Sequence, residues 1–254
     1  MTRRRFHAPP QAFDQGRVTL ASDEARHLRD VLRLKKGDEA FVFDGEGKEF
    51  SCVVAETGRG SSPAMLEVQA EVLPASPESL LSLTLALALL KGEKFDLVVQ
   101  KATELGITRL IPLTTTRADV RLRDESDAVK RVTRWQRLAL EACKQSGRAR
   151  VPVIDAPISF SALLESAKPE SFKLRLMFAE RMGRGLLETL ETSERRAQSV
   201  IALVGPEGGW EDEEIRRASE SGFDIITLGG RIMRAETAAI TVTALLQHLC
   251  GDLK

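Results

Sequence analysis

From Leu81 onward the chain repeats one pattern: a short, nearly continuous apolar run, a turn, then a stretch with helical spacing. The runs are "LSLTLALALL", "RLIPL", "VPVI", "SFKLRLMFAE", "SVIALVGPEGG" and "FDIITLGG". A strand that is apolar throughout needs cover on both faces. Its alternation with helices implies parallel neighbours, because a tight hairpin cannot join parallel strands. An α/β fold with a largely parallel sheet and helices on both faces follows. One of its helical stretches, "EKFDLVVQKATELG", sets Phe95, Val98, Val99, Ala102 and Leu105 on one face and is closed by Gly106.

The first part of the chain reads differently. Between Arg17 and Val72, short alternating segments, "RVTL", "EAFVFDGEGKEFSCVV" and "AMLEVQAEV", are separated by turn residues. The "DGEG" at Asp44 to Gly47 is a hairpin signal, since glycine tolerates the positive φ such turns demand. A small β domain over residues 1–73 is therefore expected, then a Pro- and Ser-rich linker, "LPASPESL", and an α/β domain over 80–254.

Ligands of parallel sheets bind outside the carboxyl ends of the strands. Two glycine-rich turns fall there, in "LVGPEGGWEDEEI" (203–215) and "LGGRIMRAETAAI" (228–240). Neither has the phosphate-loop or dinucleotide fingerprint. The first places Glu207 beside a turn stiffened by Pro206. The second carries Arg231 and Arg234, then Glu236 and Thr237 at the start of an apolar helix. Charges at such strand ends seldom serve packing alone. Glu236 has two readings, because a carboxylate in a first helical turn also offsets the helix dipole. The helix that follows, "TAAITVTALLQHLC", is apolar nearly all round until His248, which suits a core or a subunit interface.

Composition narrows the partners. The formal net charge is +0, so nucleic-acid affinity must come from local patches such as "TRRRF" and "RHLRDVLRLKK". No apolar run spans a bilayer and "MTRRRFHAPP" lacks a signal-peptide core, so a cytoplasmic protein without membrane attachment is expected. Three scattered cysteines and three histidines without ligand spacing predict neither a disulfide framework nor a metal site.

These motifs together resemble the 16S ribosomal RNA (uracil-1498-N3) methyltransferases of the SPOUT class. Besides the two glycine loops, the resemblance takes in "RRRFH", "HLRDVLRLKKGDEAFVFDG" (27–45), "KGEKFDLVVQKATELGITRLIPL" (91–113) and "RWQRLALEACKQSGRARVP" (134–152). Only Gly230, Met233 and Ala235 depart from the family pattern, which has a different residue, a leucine and a threonine there. The resemblance implies an N-terminal PUA-like β-barrel, a trefoil-knotted α/β methyltransferase domain and a homodimer acting on 16S ribosomal RNA of the small ribosomal subunit. S-adenosylmethionine would lie against three loops: Phe178 to Glu180; Leu203, Val204, Gly205, Pro206, Glu207, Gly208 and Gly209; and Leu228, Gly229, Arg231, Ile232 and Met233, with Glu236, Thr237 and Ala238 just beyond.

The implied reaction moves a sulfonium methyl to uracil N3, whose proton must be lost. Arg234, or else Arg231, would stabilise the uracil anion, with Glu207 and Glu236 orienting the arginine or taking the proton. Arg3, Arg4, Arg5, Arg33, Lys91, Lys94, Lys101, Arg117 and Arg148 are the expected RNA contacts, with Gln145 a further candidate. Two other readings stand beside this one: a SPOUT relative acting on another nucleotide, and a non-catalytic RNA-binding assembly protein.

Overall fold

The alternating segments of the N-terminal part pair mostly as antiparallel neighbours and the later apolar runs pair as parallel ones, each according to its pattern. The computed structural model describes residues 3–58, 60, 62–168, 170–192 and 198–254. They fall into two units, Met1–Glu78 with Leu140–Val151, and Ser79–Ala139 with Pro152–Lys254.

The first unit holds β1 (Arg5–His7), β2 (Phe13–Asp14), β3 (Arg17–Leu20), α1 (Ser22–Arg26), β4 (Glu39–Phe43), β5 (Glu49–Glu56) and β6 (Ala64–Val72). Its six strands follow the order β1-β4-β5-β6-β3-β2. The "DGEG" turn joins β4 to β5, with Asp44 Oδ1 accepting the N–H groups of Glu46, Gly47 and Lys48 at 2.7, 3.0 and 3.0 Å. Register shifts in β5 at Ser51/Cys52 and Val54/Glu56 bend the strand, as bulges do. The bent sheet encloses Phe6, Val18, Leu20, Val42, Val54 and Leu66. Leu28 closes that core from a π-helical turn, His27–Val31, continuous with α1. Periodicity missed this helical piece: it is about two turns long, and its sequence reads as a charge run.

A buried ion pair braces the unit. Glu49, fully buried, receives the Arg5 guanidinium at 3.0 Å and Arg3 at 3.1 Å. Arg5 also donates to the carbonyls of Cys143 and Arg148 at 2.9 Å each. Arg148 in turn meets Glu78 at 2.7 Å.

The second unit continues with β7 (Ser82–Ala88), α2 (Lys94–Glu104), β8 (Arg109–Thr114), α3 (Glu125–Ser146), β9 (Val153–Ile154), β10 (Ile158–Ser159), α4 (Phe160–Ser166), β11 (Leu174–Phe178), β12 (Arg184–Gly185), α5 (Leu186–Thr192), β13 (Ser199–Val204), α6 (Asp212–Glu220), β14 (Asp224–Thr227) and α7 (Ala235–Cys250). The division between units falls inside α3, at Ala139/Leu140. The sheet order is β10-β8-β7-β13-β11-β14-β12, with β9 on β8, and every pairing is parallel.

Register sorts the side chains into two layers. Ala86, Ile111, Met177 and Leu203 are cross-strand neighbours, and they pack with Phe160 and Leu163 of α4 and Ile215 and Ala218 of α6. The alternate residues Leu85, Leu110, Leu176 and Ala202 are buried on the opposite face, where α7 lies on β7 and β13 and is joined by α2. In α2, Phe95, Val98, Val99 and Ala102 are buried as expected, and Gly106 follows with φ 92°. Leu105, at the C-cap, is only half-buried.

Among the described residues no helix is long and apolar enough to cross a membrane, and no cluster of three metal-ligating side chains occurs. The feature that builds a site is the strand order. β13 lies between β7 and β11, while β14 returns to the far side of β11, so the carboxyl ends of three strands stand side by side.

Candidate active site

The loops leaving β11, β13 and β14 enclose a cavity of about 350 Å³. Small-molecule sites run from about 300 to 1,000 Å³, so this one suits a ligand of nucleoside size. Phe178 and Glu180 line it from the first loop; Val204, Gly205, Pro206, Glu207 and Gly209 from the second; and Leu228, Gly229, Arg231, Ile232, Met233 and Arg234 from the third, with Ala238 from α7.

The β13 loop is held from several directions. Trp210 is 5% exposed, packs on Phe160, and donates its Nε1–H to the Phe178 carbonyl at 2.9 Å, tying this loop to the end of β11. A Cβ on Gly205 would lie 3.0 Å from the indole, so any other residue there crowds the packed ring. Arg117, from the loop after β8, reaches the Trp210 carbonyl at 3.2 Å. Buried Glu214 accepts the N–H groups of Glu211 at 3.0 Å and Thr116 at 3.1 Å. A loop fixed this way presents its main-chain N–H and C=O groups in a set geometry.

The β14 loop is open by comparison. Gly229 takes φ 85°, a left-handed conformation natural only to glycine, and Ile232 is 82% exposed. Arg231 and Arg234 are both exposed, and neither has an ion-pair partner among the described residues. Arg234 is the N-cap of α7, and its carbonyl accepts the Ala238 N–H at 2.8 Å. Two un-neutralised guanidinium groups at a cavity rim suit an anionic or anion-forming ligand.

The acidic candidates differ in their surroundings. Glu207 Oε1 lies 2.9 Å from Lys94 Nζ and accepts the Lys91 N–H at 3.3 Å. Burial by itself would raise this carboxyl's pKa, but the bonds from Lys94 and from the backbone N–H groups of Glu207 and Lys91 outweigh it and hold it below the ordinary carboxylate range. Glu236, in the first turn of α7, has its Oε2 buried and without a hydrogen-bond partner, 3.9 Å from the same Lys94 nitrogen.

Four residues expected at the cofactor lie outside the cavity wall. Leu203 points into the layer under α4 and α6, Gly208 is backed by Arg117, and Glu236 and Thr237 lie along the α7 start. Strand parity puts the Leu203 side chain in that layer, since residues 201 and 203 of β13 share one face. Ala179 and Gly230, inside the expected loops, complete the wall together with Trp210, Thr227 and Ala235, which were not expected there. Only Trp210, abutting the Gly208-Gly209 turn, carried a readable signal.

The expected RNA contacts divide. Arg4 and Arg33 are exposed and have no ion-pair partner among the described residues. Arg5 and Arg148 do not suit that role: they are 8% and 3% exposed, and their guanidinium groups are committed to buried Glu49 and half-buried Glu78, so they cannot neutralise a phosphate. Arg3 pairs with Glu49, Lys91 with Asp119 at 2.7 Å, and Lys101 with Glu104 at 2.9 Å. Arg117 clamps the glycine loop, and Lys94 faces the two glutamates.

Comparison with known proteins bears on this cavity. Residues 77–247 match the family described as RNA methyltransferase domain, and residues 20–62 match RNA methyltransferase PUA domain. The chain is 35% identical over 247 residues to the Ribosomal RNA small subunit methyltransferase E of Synechocystis, covering 96% of this chain and 77% of that protein. It is 32% identical over 247 residues to the Rickettsia conorii protein of the same name, covering 96% and 95%. The crystal structure of a Ribosomal RNA small subunit methyltransferase E from Neisseria gonorrhoeae bound to S-adenosyl methionine aligns with a TM-score of 0.86 at 32% identity, over 99% of this chain and 100% of that one.

Proposed function

The chain belongs to the RNA methyltransferase family, in the SPOUT class, and from that premise we propose that it methylates N3 of one uridine in 16S ribosomal RNA of the small subunit, using S-adenosylmethionine. The observation that carries this reading is the cavity at the carboxyl ends of β11, β13 and β14, with two unpaired arginines at its rim.

The cavity fits the donor by size and by chemistry. Its walls offer main-chain groups of 205–207, 209 and 228–233 for a nucleobase edge, the apolar faces of Phe178, Val204 and Ala238, and an exposed carboxylate, Glu180, suited to ribose hydroxyls. Bound there, S-adenosylmethionine supplies a methyl group already activated by its sulfonium. No metal is needed for such a transfer.

The chain's own residues then have to manage charge. Loss of the N3 proton spreads negative charge over the uracil oxygens, and a planar, permanently charged guanidinium stabilises it without changing protonation state. Arg234 takes this role, because helix α7 fixes its backbone at the N-cap while its side chain stays free of carboxylates. Arg231 supports it from the same loop. Glu207, kept ionised and bonded to Lys94, is a weak base and serves as a fixed orienting charge. With the anion stabilised, solvent can take the proton.

RNA is held by the first unit through its exposed basic residues, Arg4 and Arg33 among them. The family resemblance supports a trefoil knot in the second unit, action in the cytoplasm and a homodimer. The half-buried apolar side of α7, with Ile240, Leu245 and Leu249, offers the dimer a surface.

Transfer of labelled methyl to small subunits lacking the modification, followed by nucleoside mass spectrometry, tests the reading. One equivalent of 3-methyluridine at a single 16S position is expected. Methylation of another atom or nucleotide would replace the acceptor, and subunit binding without transfer would refute the enzymatic reading.

A further inference from the structure

Three chain segments meet at one ammonium. Lys94 begins α2, Glu207 stands in the β13 loop, and Glu236 lies in the first turn of α7, directly after the β14 loop. Both carboxylates come within 4 Å of Lys94 Nζ, at 2.9 and 3.9 Å. The three side chains are 36%, 23% and 12% exposed, so water screens them only in part. The sharing is unequal. Glu207 has the short contact and a backbone N–H besides, whereas the buried Oε2 of Glu236 has no hydrogen bond.

Without Lys94, two carboxylates close to the same point would face each other with no cation between them. Their repulsion would act between the β13 loop and the start of α7, both of which contribute residues to the cavity wall. Arg234 is two residues before Glu236, so any displacement of that helix start moves the N-cap arginine with it.

We infer that Lys94 is a positioning residue for methyl transfer: its ammonium joins Glu207, on the cavity wall, to Glu236, in the first turn of the helix that Arg234 caps, setting the cofactor cavity and the placement of Arg234 together. The inference rests on the proposed function. It replaces the expectation that Lys94 contacts RNA phosphate, since its charge is already spent inside the protein.

The test uses the full chain, with Lys94→Met, Lys94→Arg and the double variant Lys94→Met with Glu236→Gln. S-adenosylmethionine affinity is measured by calorimetry, small-subunit affinity by filter binding at two salt concentrations, and turnover at saturating subunits. Lys94→Met is expected to weaken S-adenosylmethionine binding and lower turnover, each by about tenfold, and to leave subunit affinity and its salt slope unchanged. Lys94→Arg keeps the charge and should stay within about threefold of wild type in cofactor affinity. The double variant, relieved of one uncompensated carboxylate, should recover most of the cofactor affinity even if turnover stays low.

Weakened subunit binding with a shallower salt slope and unchanged cofactor affinity would overturn the inference in favour of a phosphate contact. So would a double variant no better than Lys94→Met. If Lys94→Met does not fold, Lys94→Arg decides, a tenfold loss of cofactor affinity counting against a role carried by charge. Wild type that bound S-adenosylmethionine but methylated no uridine would sink the proposed function alone, with Lys94 still judged on cofactor affinity.

Discussion

Gly205→Ala tests the claim that the indole of Trp210 sets the spacing of two cavity loops. The added Cβ would lie 3.0 Å from Trp210 Cε2 and Nε1 and 3.3 Å from Cδ1. Carbon atoms pack best at about 3.5–4.0 Å, so the ring must retreat by roughly half an ångström. It has little room: Trp210 is 5% exposed, lies against Phe160 with ring centroids 5.5 Å apart, and is anchored to the Phe178 carbonyl at 2.9 Å. Keeping the ring in place means overpacking, which costs about 1–3 kcal/mol. Moving it stretches a buried hydrogen bond, and an unsatisfied carbonyl costs about as much, roughly 1–3 kcal/mol. The chain takes the cheaper path, so a loss near 1–2 kcal/mol is expected, a fall in Tm of about 3–8 °C. Because the ring joins the β13 loop to β11, affinity for S-adenosylmethionine should drop about tenfold as well. Gly230→Ala is the control for stability, since nothing lies within 4 Å of a Cβ there and φ is not positive; because it lines the cavity, cofactor affinity is compared with wild type instead. Circular-dichroism melts of both variants and calorimetric titration of Gly205→Ala decide the matter. A Gly205→Ala protein melting within about 1 °C of Gly230→Ala, with unchanged cofactor affinity, would refute the reasoning.

Other outcomes are as specific. Arg234→Ala should lower turnover by about 10²–10³, the loss typical of one charge-stabilising donor, with an unchanged Tm, because the exposed side chain has no ion-pair partner among the described residues; methyl transfer and thermal unfolding read the two separately. Glu49→Gln should destabilise the first unit by about 3–5 kcal/mol in urea titration, since it strands the buried Arg5 guanidinium. Glu207 has its folded pKa depressed: burial opposes this, but Lys94 and two backbone N–H groups prevail. Its contribution to stability is therefore complete above the unfolded carboxyl pKa of about 4.3 and is lost as pH falls through the lower folded value. Melts of wild type and Glu207→Gln across pH 3 to 6 should differ most at the upper end and converge at the lower, and parallel curves would contradict the pairing.

Much of the fold was legible because strand and helix leave different periods in a sequence. Every apolar run after Leu81 became a parallel strand, and the "DGEG" turn became the β4–β5 hairpin. The α1 segment with its π-helical turn escaped notice, being too short for periodicity to show. Of the expected cofactor residues, those in the three loops line the cavity, Leu203 and Gly208 apart, because glycine loops at strand ends are local features. The RNA set was read less well. Charge is visible in a sequence but its partner is not: Arg5 and Arg148 look like Arg4 until Glu49 and Glu78 are found beside them.

By itself, then, the sequence determined which segments are strands, where glycine permits sharp loops, and which charges lie at strand ends. These depend on residues near one another in the chain. Only the tertiary structure decided that β13 slips between β7 and β11, that Trp210 pins the β13 loop to β11, and that Lys94 stands between Glu207 and Glu236 across 113 and 142 residues of sequence. Contacts of that range follow from how the whole core packs, and no local pattern encodes them.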